Sequence, residues 1–200
     1  MTETRNNNWP PCYPIIYHNI QADILDGDSR RMTEQSYKLW LFYVVTLFFN
    51  LVAVVVTSVS RNDGISIIGQ ILIAVLYLLA WPLFDFFCRH RSLYQAFKHN
   101  NQNRFRWFFL NTFLDIVFGS FIGLGWFYGG GGGVIAMSDN FKNERIVAGV
   151  FCAICVALVL IQVTLHIILF RKVYAHFKTH DDWTLLPGQK NKSSKEQARV

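Results

Sequence analysis

The chain has 200 residues, of which 52% are hydrophobic and 16% charged, with 18 Phe and a formal net charge of +6. A soluble domain spends about a quarter of its residues on charge, and here the apolar residues come in long blocks rather than at an amphipathic spacing. The composition argues for a membrane protein and against the competing reading, a soluble bundle of very apolar helices.

Residues 1–37 are polar, carry the Pro-containing stretch "WPPCYP" from Trp9, and lack an apolar core of signal-peptide length. The first span is therefore expected to act as its own insertion signal. Four apolar blocks follow, at about 39–59, 65–87, 107–127 and 146–170. At about 1.5 Å per residue, some 20 residues cross a hydrocarbon core about 30 Å thick. A backbone in lipid must satisfy its own hydrogen bonds, so each block predicts a helix. The expected architecture is an all-α integral membrane protein: a four-transmembrane-helix bundle over 38–171, with 1–37 ahead of it and a tail over 172–200.

Between the second and third spans lies "CRHRSLYQAFKHNNQNRFRW", starting at Cys88 and almost free of acid. On a helix, Leu93 and Phe97 are four apart and Tyr94 and Phe97 three apart, so the three share a face. Arg89, Arg91 and Lys98 flank that face. The pattern predicts that 88–106 forms an amphipathic helix on the membrane surface, apolar anchors inward and cations toward headgroups. Arg104 and Arg106 add charge before the next span. Each cation near an anionic surface contributes about 1 kcal/mol. The plainer reading is a connecting loop whose charges only set topology. Cys88, beside the membrane, is a candidate for S-palmitoylation.

In the third span, Asp115 lies about nine residues from the start, and an acid at that depth is costly. Gly119 and Gly123 follow at intervals of four, a spacing that lets another helix approach. Asp115 is therefore expected to face protein. Gln162 and His166 of the fourth span, and Thr46 and Asn50 of the first, reach similar depths. A polar cluster of Asp115, Gln162 and His166 would serve either proton or ion handling or as a helix-packing clamp. Asp85, near the end of its span, is expected to reach water or the basic loop.

Gly129 to Gly133 are followed by no Gly-Lys-Ser/Thr, so they predict a flexible loop rather than a phosphate cradle. Cys152 and Cys155 stand within an apolar helix and read as packing residues. No catalytic spacing is present, and no cofactor, metal or nucleic-acid partner is expected. Of the 19 Lys and Arg, Arg61, Lys142 and Arg145 alone fall on the side opposite the termini. The positive-inside bias puts both termini and the 88–106 loop in the cytoplasm. A cytoplasmic tail predicts that the "NKS" sequon at Asn191 stays unmodified.

"CRHRSLYQAFK" resembles the second-loop segment of the secretory carrier-associated membrane proteins (SCAMPs), roughly C-W-Y-R-P-L-Y-x-A-F-R. Cys88, Arg91, Leu93, Tyr94, Ala96 and Phe97 match that pattern. Arg89, His90 and Ser92 stand where it has two aromatics and a proline, and Lys98 replaces an arginine. "WPPCYPIIYHNIQADI" is similar to the family's lead-in, and "LWLFYVVTLFFNLVA" to its first span. The third and fourth spans match in number and placement.

The resemblance implies a four-span protein of post-Golgi vesicles, endosomes, Golgi or plasma membrane, both ends cytoplasmic and without enzymatic activity. It implies a part in exocytosis and endocytosis, with membrane lipids, notably anionic phosphoinositides, and trafficking or fusion machinery as partners. The family's Asn-Pro-Phe adaptor motif does not occur in this sequence. The alternative is a small channel or transporter, a homo-oligomer around a shared pore, using Asp115. A tetraspanin-like organiser would need a large cysteine-bearing outer domain that the outer loops lack.

Overall fold

A computed structural model describes residues 17–61, 65–126 and 129–179. The "WPPCYP" stretch, the Asn191 sequon and the tail from Asp181 lie outside the described residues. The elements are α1 (Ile20–Asp23), α2 (Gly27–Arg61), α3 (Ile65–Phe84), α4 (Arg91–His99), α5 (Gln102–Leu124), α6 (Val134–Lys142) and α7 (Ile146–Thr179). A π-helical turn, Asp85–His90, joins α3 to α4. The described residues contain helices and no strand.

Four of these runs are long and apolar enough to cross a membrane: α2, Ile68–His99, α5 and α7. Their outward faces are what lipid requires. Leu72, Leu79, Phe113 and Leu160 are each more than half exposed. In water such a surface would be an aggregation liability; in hydrocarbon it carries no penalty.

Local chemistry sets the helix ends. The Asp26 carboxylate accepts the Ser29 N–H at 2.8 Å and opens α2. Asn101 accepts the Asn103 N–H at 3.0 Å and opens α5, which closes on Gly125 at φ 65°. With 35 and 34 residues, α2 and α7 are about 50 Å long, well beyond a ~30 Å core. Both overshoot at the same end. There α4 packs between them and α5, closing an apolar cluster of Met32, Leu39, Leu93, Ala96, Phe105, Phe108, Leu169 and Val173. A second cluster, built on Tyr43, Leu47, Ala53, Ile122, Cys152, Cys155 and Val159, fills the bundle toward the other end.

The structure departs from the sequence expectations in three places. Residues 27–37, read as part of the segment ahead of the first span, are the first turns of α2. Part of the loop after α5 is the helix α6, fixed by Arg61, which pairs with Asp139, and by Asn140, which donates to Thr57 Oγ1 at 2.9 Å. The glycine run, expected to be a flexible tether, is packed into the bundle. Asn50 donates to the Gly130 carbonyl at 2.9 Å and accepts the Gly132 N–H at 2.9 Å. A Cβ on Gly132 would lie 2.6 Å from Ala53 Cβ, so no larger residue fits without a shift.

Candidate functional site

The end of the bundle at which α2 starts and α7 finishes holds two layers of chemistry: a cationic, aromatic surface and a buried ionic cluster beneath it. Both depend on how α3 ends. Pro82, inside α3, has no N–H to donate, and its carbonyl accepts Trp40 Nε1 at 2.9 Å. Three residues later the chain widens into the π turn. A π turn takes more than four residues, so Asp85, Arg89 and His90 share one face and all point inward, fully buried.

Arg89 therefore does not face headgroups. Its guanidinium is held by Asp85, including Nη2 to Oδ2 at 2.9 Å, donates to Ser36 Oγ at 3.0 Å, and reaches Asp115 Oδ2 at 3.2 Å. The physical reason is charge: two buried carboxylates attract the nearest cation more strongly than a distant lipid surface does. Asp85, expected to reach water or the basic loop, is wholly enclosed and meets the loop through Arg89. Trp81 Nε1 donates to Asp115 Oδ1 at 3.0 Å. His166 Nε2 lies 3.9 Å from Asp115 Oδ2, and Gln162 Nε2 lies 3.2 Å from His166 Nδ1. Asp115, Gln162 and His166 thus stand side by side. Gly119 and Gly123, one and two turns on from Asp115, bring α7 against α5: a Cβ on either would meet Val163 at 3.0 Å or Val159 at 3.1 Å. Asn50 belongs to the glycine loop, not to this cluster.

Donor atoms of Asp85, Asp115 and His166 all lie within 4.8 Å of one another, a spacing a metal could use. The Arg89 guanidinium already stands among them, so the set is an ion-pair cluster rather than a metal centre.

In the surface layer, the anchors expected in lipid are partly inside the protein. Leu93 is buried in the apolar cluster and Tyr94 nearly so. Phe97 is half-buried, its ring 5.1 Å from Phe105 and 5.3 Å from His176. What covers α4 is the lead-in segment. Asp23, ending α1, accepts from Tyr94 Oη and pairs with Lys98 Nζ at 2.8 Å. His18 packs 4.8 Å from the Tyr94 ring and 5.1 Å from the His90 ring. Burial, opposed by the Asp23 carboxylate and helped by a lesser effect of the Arg91 charge, lowers the His18 pKa below its ordinary value. Nothing in the sequence spacing signalled this strap.

Between strap and α4 lies a cavity of about 200 Å³ lined by Tyr17, His18, Arg91, Tyr94, Lys98 and His99, among others. Arg91 is half-buried, and its guanidinium lies over the Phe87 ring at 6.0 Å. Arg104 and Arg106 are exposed on the first turns of α5, followed by Trp107, also more than half exposed. Cys88 is half-buried with a free thiol.

The model of the SCAMP family matches residues 6–180. The chain is 32% identical over 178 residues to secretory carrier-associated membrane protein 5 of Oryza sativa subsp. japonica, covering 86% of this chain and 61% of that protein. It is 27% identical to secretory carrier-associated membrane protein 4 of Arabidopsis thaliana, over 86% of this chain and 65% of that one. With secretory carrier-associated membrane protein 1 of Homo sapiens the identity is 26%, over 88% and 52%. The chain thus spans between about half and two thirds of the length of these relatives. No solved structure matches it.

Proposed function

The chain belongs to the SCAMP family of multi-pass membrane proteins, and from that premise we propose that it serves secretory-carrier traffic, in exocytosis and endocytosis, by engaging anionic phosphoinositides. The observation that carries this reading is the cationic cavity beside α4 together with the exposed Arg104 and Arg106. Arg91 and Lys98 are seven residues apart, two turns along one face of α4, about 10 Å in rise. Their charges converge on a space large enough for a phosphate-bearing headgroup. Arg104, Arg106 and Trp107 extend the same surface to the start of α5, with the indole at the level where aromatic side chains favour the interface.

The lipid-facing set is thereby Arg91, Lys98, Arg104 and Arg106, with Phe97 at its edge. Arg89, Leu93 and Tyr94 support it from within by fixing α4. Lys98 already pairs with Asp23, so a headgroup phosphate competes with that carboxylate for it. The surface faces the cytoplasm, where acidic lipids concentrate, and the role is non-catalytic. Partners are membrane lipid first, then trafficking or fusion machinery brought to the same patch. Cys88, at the base of the π turn, is the acylation site that would strengthen the attachment. The lipid-exposed spans leave room for homo-oligomers.

The test is replacement in cells. A chain with Arg91, Lys98, Arg104 and Arg106 changed to Gln is expected to insert and accumulate normally but to slow carrier exocytosis and endocytic uptake. Normal traffic supported by that variant would overturn the reading.

A further inference from the structure

The buried cluster is one positive charge short. Asp85 and Asp115 carry two negative charges between them, Arg89 supplies one positive charge, and all three side chains are no more than 1% exposed. The remaining groups facing Asp115 are Trp81 of α3, Tyr43 of α2, and Gln162 and His166 of α7. None of them is a fixed cation. A net negative charge at this depth, walled by apolar side chains and lipid, is strongly disfavoured.

The hydrogen-bond pattern locates the deficit. His166 Nδ1 lies 2.9 Å from the Gln162 backbone carbonyl, an acceptor only, so Nδ1 carries the hydrogen and donates. A half-turn of the Gln162 amide puts Oε1 on the same Nδ1–H side, where Nε2 now lies at 3.2 Å. In neutral His166 the other nitrogen, Nε2, is then a bare acceptor. It faces Asp115 Oδ2, also an acceptor, at 3.9 Å, and both atoms are buried without a hydrogen-bond partner. Two lone pairs facing each other across that gap repel. Arg89 Nε, 3.2 Å from the same Oδ2, is already committed to Asp85; one proton between Oδ2 and Nε2, with the side chains closing the gap by about 1 Å, satisfies both atoms and neutralises the cluster.

We propose that Asp115 and His166 form a membrane-buried proton-binding site, holding one labile proton between Asp115 Oδ2 and His166 Nε2. The proton moves without any bond to carbon changing: it resides on the carboxyl as O–H···N or on the imidazole as N–H···O, and leaves as a hydronium ion. Its presence ties α5 to α7 beside the π turn; its loss leaves Asp115 with the Trp81 N–H and an Arg89 already held by Asp85. Asp115 and His166 are not among the lipid-engaging residues, and the proton is read out without lipid binding, so failure of one inference leaves the other standing.

Infrared difference spectroscopy and ¹⁵N-histidine NMR on the full chain in lipid nanodiscs test the proposal. At pH 7.5 in sodium-free buffer we expect either a protonated-carboxyl C=O band, shifted by deuterium exchange, or an imidazolium signature at His166. The carboxyl band should be lost in Asp115→Asn, and the imidazolium in His166→Gln. Wild-type protein showing neither signal overturns the site outright, whatever the variants do. A carboxyl band that survives in Asp115→Asn, or that disappears when sodium is added, also overturns it, by assigning the proton to Asp85 or the occupant to a metal cation.

Discussion

Removing Arg89 would leave Asp85 and Asp115 facing each other inside the bundle with no cation between them. Breaking a buried ion pair from one side costs about 3–5 kcal/mol, so Arg89→Met should lower the thermal unfolding temperature in detergent markedly. The exposed Arg104→Gln should leave it unchanged. Equal melting of the two variants would show that Arg89 is not held as described. His18 gives a second prediction at this scale. Its depressed pKa favours the neutral ring in the folded state. The packing it contributes is therefore complete above the ordinary histidine range and is lost as pH falls from about 6.5 toward the folded value. Hydrogen-exchange protection of residues 17–24, taken relative to the intrinsic rate at each pH, should fall between pH 7 and pH 5, and His18→Phe should abolish that fall. Asp115 could be picked out from sequence because an acid at mid-span is costly anywhere. Arg89 could not: a cation just past an apolar run looks like any headgroup-facing residue until the π turn rotates it inward.

Helices that span were readable because twenty consecutive apolar residues admit few other structures in lipid. The short elements were not. The pattern of α4 is amphipathic either way; the overshooting α2 and α7 with α5 decide that Leu93 meets protein instead of lipid, and His18 and Asp23 of the strap decide it for Tyr94. Five glycines carry no side chains to report their neighbours, so their packing against Ala53 and Asn50 was invisible in the sequence. That packing predicts that Gly132→Ala, which forces a Cβ against Ala53, costs roughly 1–3 kcal/mol. Gly69→Ala, with nothing within 4 Å, should be neutral or slightly stabilising. A denaturation series on the two variants checks this; identical stability would mean that the loop is not seated. The strap makes its own prediction. Asp23→Asn frees Lys98 and removes a negative charge from the cavity wall, so phosphoinositide binding should tighten by about 1 kcal/mol, roughly fivefold. Weaker binding in that variant would place the headgroup elsewhere.

Across the whole molecule, the two ends of the bundle differ in kind. One is closed by α6 and the glycine loop, held between helices by the Arg61–Asp139 pair and by the hydrogen bonds of Asn50 and Asn140. The other carries most of the cations, the long overshoots of α2 and α7, and the ionic cluster that fixes α4. The proposed lipid engagement rests on the second end, and the side it faces decides whether acidic lipid is available. The most direct test reconstitutes the full chain into liposomes containing labelled PI(4,5)P2 and follows clustering across a salt series. The Arg91, Lys98, Arg104 and Arg106 to Gln variant runs alongside. We predict clustering by the wild type that weakens with salt and falls by about two orders of magnitude or more in the variant, each of the four lost charges contributing about 1 kcal/mol. Equal clustering by the two proteins, or clustering indifferent to salt, would contradict the account.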